Sequence, residues 1–206
     1  MKTMKANKDV TIAICLIAIL AFSPVASFAQ ASTTFSGRAA ALRASAVGIA
    51  LAVSDTGPLP ASGGSLKTSV ASVNVLGLVS ADVLTSATSG SGSSSQSQSS
   101  IQSLSLLGGL VTADLVKSNS GASCSNGQAS ATGNSQLVGL VVAGQPVLAV
   151  NPNLAISAPG GISVIVNEQT SSSGGNTGST TVNALHVTGP SLDIVVASAH
   201  SDITCP

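Results

Sequence analysis

The sequence predicts an all-β fold, an antiparallel meander or β-sandwich of long hairpins with Gly/Ser-rich turns, and three observations carry that expectation. A stretch is written twice: Val75–Leu84 returns as Leu106–Val116, and each copy is followed by a polar run. Both copies alternate with a period of two. Val79, Ala81 and Val83 fall on one face against Ser80 and Asp82, and Val111, Ala113 and Leu115 fall against Thr112 and Asp114. Finally, Gly, Pro and Asn clusters punctuate the chain where strands would have to turn. A β-solenoid-like stack is the alternative architecture, but it would want more copies at a stricter period.

The N-terminus reads as an export signal. Lys2, Lys5 and Lys8 form a basic region, Val10 to Phe22 an apolar one, and Ser27-Phe28-Ala29 a cleavage site. Residues 1–29 are therefore expected to be removed, leaving 30–206 as a single exported β-domain with no membrane span, because the apolar run is shorter than the roughly 20 residues a bilayer requires. After cleavage Phe35 is the only Phe, Tyr or Trp. The core must then come from Val, Leu, Ile and Ala, which bury little area each, so many strands have to contribute.

The exported part carries Arg38, Arg43, Lys67 and Lys117 against Asp55, Asp82, Asp114, Glu168, Asp193 and Asp202, a slightly acidic balance. It shows no basic patch and no aromatic platform, which argues against nucleic-acid binding. Two cysteines remain, Cys124 and Cys205. In an oxidising compartment an even pair is most simply a disulfide, here closing a ring whose entropy is worth about 4 kcal/mol.

Taken in order, Phe35–Val53 is Ala-rich and compatible with helix, but Val47, Ile49, Leu51 and Val53 alternate with small residues and favour a strand in its second half. Asp55 to Pro60 is a turn. Leu59-Pro60-Ala61-Ser62-Gly63 looks like a wall-sorting pentapeptide, yet no apolar tail follows and it reads as a loop. Gly77 and Gly108-Gly109 mark bends. The tract 86–100 reads either as a flexible linker or as a solvent-facing hairpin. Ser135–Gly144 is a degenerate third copy, with Gly144 where the Asp stood. Turns at Asn151-Pro152-Asn153 and Ala158-Pro159-Gly160-Gly161 precede a strand over 162–166, a glycine-rich tip over 171–179, a returning strand to Val187 and a last strand over 192–200.

Candidate chemistry is sparse. His200 and Asp202 share a strand face, and with His186 they could ligate a metal or, with a serine, act hydrolytically. An exposed pair on a terminal strand explains them more simply. Asp82 and Asp114 recur in register and could be Ca²⁺ ligands, although a hard cation wants more oxygens than two isolated carboxylates provide. A solvated sheet face fits their parity directly. Glu168 is expected at a turn or strand end. No phosphate loop, dinucleotide fingerprint or zinc-protease motif occurs, and no cofactor is expected.

Phe35-Ser36-Gly37-Arg38-Ala39, Val166-Asn167-Glu168-Gln169, Val182 to Val187 and the ending Asp193 to Cys205 together resemble the bacterial choice-of-anchor P family. The resemblance spans nearly all of the exported part. It implies an exported surface module, often followed by one of several C-terminal anchors. Pro206 ends this sequence with no sorting tail, so release or another means of attachment is expected. The expectation is a non-enzymatic secreted or cell-surface structural and interaction domain of a bacterial envelope or extracellular matrix. Alternatives are an adhesive module binding glycans or another surface, or a filament subunit that self-associates by pairing strand edges.

Overall fold

The computed structural model describes residues 32–206 apart from 47, 76, 149 and 150. The expected signal segment, 1–29, lies outside them. Among the described residues the strands are β1 (Thr34–Ala46), β2 (Ile49–Asp55), β3 (Gly64–Val75), β4 (Val79–Ser91), β5 (Ser94–Leu106), β6 (Val111–Ser125), β7 (Gln128–Val138), β8 (Val141–Val142), β9 (Gln145–Pro146), β10 (Leu154–Ala158), β11 (Ile162–Gly174), β12 (Thr177–Gly189) and β13 (Leu192–Thr204). No helix among them is long and apolar enough to cross a membrane.

They form two antiparallel sheets that face one another as an open sandwich. One has six strands in the order β10-β11-β12-β13-β1-β2. The other has seven: β3-β4-β5-β6, with β7 and then β8-β9 following along the far side of β6. Consecutive hairpins build both sheets, as the meander predicts. The exception is β13, last in the chain but central in its sheet, where it lies between β12 and β1.

The strands are longer than the sequence suggests. β1 starts at Thr34 and takes in the Ala-rich half that permitted a helix. The tract 86–100 is the hairpin of the two expectations and not the linker, forming the turn and adjoining arms of β4–β5, but half of its hydroxyls face inward and not to solvent. The 171–179 tip shrinks to Gly175 and Asn176, with β11 and β12 running on to either side.

The expected parity also fails partway along each long strand. Val79, Ala81, Val111 and Ala113 point inward, but Val83 is 46% exposed, and Leu84 and Val116 take the buried positions. The cause is a line of bulge-like breaks in the strand pairing. In the seven-stranded sheet the pairing shifts around Asp82, and Val83 (φ 46°) and Ser103 (φ 50°) adopt left-handed backbone conformations. In the six-stranded sheet Ser54 (φ 49°), Asn167 (φ 53°) and Ala197 (φ 48°) do the same at one level, where Ala41 and Ala184 drop out of register with them. One residue on each partner is skipped and the register resumes unchanged, so each strand turns its other side to the core without a net insertion.

The bulge line divides the interior. On one side lies an aliphatic core that includes Leu42, Ile101, Leu106, Val111, Val164, Leu185 and Ile194. On the other the buried positions are mostly hydroxyls: Ser86, Thr88, Ser95, Ser97, Ser99, Ser118, Ser120, Thr180 and Ser201. Several bond from sheet to sheet. Ser97 Oγ donates to His200 O at 2.6 Å, Ser95 Oγ to Ser36 O at 3.2 Å, and Ser120 Oγ meets Ser201 Oγ at 2.9 Å. A buried hydroxyl costs least when so satisfied. Glycine permits the close approach: a Cβ on Gly37 would strike Thr88 Oγ1, and one on Gly133 would strike Val182. Phe35, Leu59, Ala122 and Ile203 seal the far end. There a disulfide between Cys124, in β6, and Cys205, just after β13, clasps one sheet to the other.

Candidate functional site

The two outer faces differ in chemistry. On the six-stranded sheet, outward positions of β1, β2, β11, β12 and β13 gather Arg38, Arg43, Asp55, Glu168, His186, Asp193, His200 and Asp202. Arg38 grips Asp55 with two hydrogen bonds, Nε at 2.8 Å and Nη2 at 2.7 Å, and Arg43 Nε adds a third at 3.3 Å. Burial pushes the Asp55 carboxyl up, but the Arg38 hydrogen bonds, the Gly57 N–H and the two positive charges prevail and hold its pKa at about 2.

Beyond this cluster, His186 Nδ1 lies 3.1 Å from both Glu168 oxygens, and its Nε2 lies 3.4 Å from Asp193 Oδ2. Asn183 Nδ2 donates to Glu168 Oε2 at 2.6 Å and fixes that carboxylate. Burial lowers the His186 pKa, but the flanking carboxylates outweigh it and the net shift is upward. Glu168 thus sits within β11, not at the turn or strand end expected, because the Glu168↔Asn183 register sets it beside the imidazole. Only the hairpin pairing could have signalled this.

His186, His200 and Asp202 do not form a ligand set. His200 Nδ1 bonds Thr181 Oγ1 at 2.9 Å, while His186 is engaged with its own carboxylates. Among the described residues no group of three or more His, Cys, Asp or Glu is arranged to hold a metal ion. His200 and Asp202 do share the outward face of β13, with Ser201 turned inward, but that strand is central in its sheet and not an edge.

The outer face of the seven-stranded sheet is a field of amides and hydroxyls. Its register aligns Ser65, Ser89, Gln96, Gly121 and Thr132 in one row, Lys67, Ala87, Gln98, Asn119 and Asn134 in the next, and Ser69, Thr85, Ser100, Lys117 and Gln136 in a third. Two adjoining grooves of about 170 and 380 Å³ run over these rows, sharing Ala87 and Gln98. Asp82 and Asp114 are exposed on the same face, at the bulge line, and line neither groove. Asp82 lies opposite Gln102, whereas the Asp114 carboxylate folds over Gly139, where a Cβ would collide with it.

No family model, curated protein or solved structure matches this chain. The charged face is largely self-satisfied, its arginines and His186 paired to carboxylates within the fold. The amide face can donate and accept hydrogen bonds along its whole width.

Proposed function

We propose that the chain is an exported, non-enzymatic structural and interaction domain of a bacterial envelope or extracellular matrix. The observation that carries this reading is the Cys124–Cys205 disulfide, which joins the two sheets beyond the hydroxyl layer, against the small apolar cluster that seals that end. A covalent clasp of this kind suits an oxidising compartment and a domain that must stay folded without cellular upkeep. The signal-like N-terminus and the resemblance to choice-of-anchor P proteins point the same way. Fractionation of the native cells, with thiol labelling, tests it. Recovery in the envelope or medium with both cysteines oxidised is expected, and a cytoplasmic protein with two free thiols would sink the proposal.

A second reading, an adhesive module, is favoured by the ordered rows of Ser, Thr, Gln and Asn on the seven-stranded sheet. Such a face suits a hydroxyl-rich polymer such as a glycan. Retention of the purified chain on immobilised envelope or matrix polysaccharide tests this reading; passage through every such matrix would refute it.

A further inference from the structure

Lys67 and Lys117, the two lysines of the described residues, stand fifty positions apart in the sequence and line the same groove. Both arginines are bound to Asp55. Neither lysine makes an ion pair or side-chain hydrogen bond with any described residue. They are the uncommitted cations of the described domain, and the meander sets them on one face.

We propose that this groove binds an acidic polysaccharide that carries carboxylates on successive sugars. The proposal rests on the adhesive reading above and specifies its ligand. The groove exists because Ala87 leaves a trough between the long side chains of Lys67 and Gln98 in one row, and it continues through the shared Ala87 and Gln98 into the second groove toward Gln96. Lys67 belongs to β3 and Lys117 to β6, three strands away. With about 4.8 Å per strand and about 3.4 Å per residue for the one-row offset, their backbones are about 16 Å apart. That span suits several charges along an extended polymer better than one small anion. Gln98, on β5 between the lysines, and Asn119, two residues from Lys117 along β6 in the second groove, have no hydrogen-bond partner among the described side chains, so their amides are free to pair with sugar hydroxyls. The face carries no aromatic ring, since Phe35 is buried at the end of the sandwich. Sugar stacking is thus replaced by charge, and binding must weaken with salt. Asp82 and Asp114 lie outside the groove, and the remaining described acids face outward from the other sheet.

The test is affinity electrophoresis of the full exported chain in gels containing polygalacturonate, its fully methyl-esterified form, or duplex DNA. Retardation by polygalacturonate, release at about 0.5 M salt and loss of about tenfold in affinity for K67Q/K117Q are expected, with K67R/K117R retaining binding. A double Gln variant that binds within about twofold of the parent overturns the proposal. Equal retardation by the esterified polymer overturns the acidic assignment but leaves the adhesive reading standing. Retardation by DNA as strong as by polygalacturonate overturns the assignment to a glycan. Free passage through every gel overturns the site, and only failure on the immobilised native polysaccharide as well removes the adhesive reading.

Discussion

Ser97→Ala is the most telling single perturbation, because it separates a hydroxyl that joins the two sheets from one that merely lies between them. Ser97 is 3% exposed, donates to His200 O at 2.6 Å, and meets Thr88 Oγ1 at 2.7 Å. Since its one proton goes to His200, Thr88 is the donor in the second bond. Alanine removes a donor and an acceptor together and leaves the Thr88 hydroxyl without its partner in a dry interior. A net hydrogen bond is worth about 1 kcal/mol, and a stranded buried group costs about 1–3 kcal/mol, so a loss of about 1–3 kcal/mol is expected. Two neighbours act as controls. Gln98, next along β5, faces outward, and its replacement by Ala should stay within about 0.5 kcal/mol of the parent. Ser118 is fully buried, but its Oγ has no hydrogen-bond partner among the described residues, so Ser118→Ala should be neutral or stabilising. Urea denaturation of the oxidised protein, monitored by far-UV circular dichroism, gives all three values. Equal losses for Ser97→Ala and Ser118→Ala would refute the bonded hydroxyl layer, as would no loss for Ser97→Ala.

Reduction of Cys124–Cys205, or Ser at both positions, opens a loop of 81 residues and should cost about 4 kcal/mol by the chain-entropy model; an unchanged denaturation midpoint under reductant would contradict this. Val83→Asn should stabilise by about 1 kcal/mol, because Val83 is exposed at φ 46°, a conformation costly for a β-branched residue and tolerated by Asn; thermal melts check the sign. Asp55→Asn should destabilise by about 1–2 kcal/mol at neutral pH, less than the full shift implies because Arg38 and Arg43 are 47% and 36% exposed. Since the folded pKa of Asp55 is depressed, its contribution is present above the usual carboxylate range and fades as pH falls through about 2, so parent and variant melts should converge there. His186 has the opposite sign. Its pKa is raised, so any advantage over His186→Gln should be full below about 6.5 and decline as pH rises through the folded value; an advantage that grows with pH would contradict it.

Much of the fold could be read locally. Period-two alternation and turn residues show hairpins, and two cysteines after a signal-like segment predict their bond, because each of these signals lies within one short segment or one residue type. The bulge line could not be read. Val79-x-Ala81-x-Val83 satisfies an unbroken alternation, and only pairing with β3 and β5 reveals that Asp82 begins a reversal. The serines of 86–100 were equally opaque, since a hydroxyl reads as solvent-facing until another sheet arrives to accept its proton. The candidate groove shares this limit. Lys67 and Lys117 look unrelated in sequence, and three intervening hairpin registers are needed to set them on one face.

The central place of β13 bears on how the molecule is made. β1 pairs with β13 along nearly its whole length, from Thr34↔Thr204 to Ala46↔Leu192, so the first strand waits for the last. A chain delivered from its N-terminus can zip up the β3–β7 meander as it emerges, hairpin by hairpin. The six-stranded sheet is different: until β13 is present, β1 and β2 can pair only with each other, and a two-stranded ribbon is marginal without something to pack on. Closure across such a sequence distance is slow. A newly made chain therefore cannot complete the six-stranded sheet until β13 has emerged, and Cys205, just beyond it, comes later still.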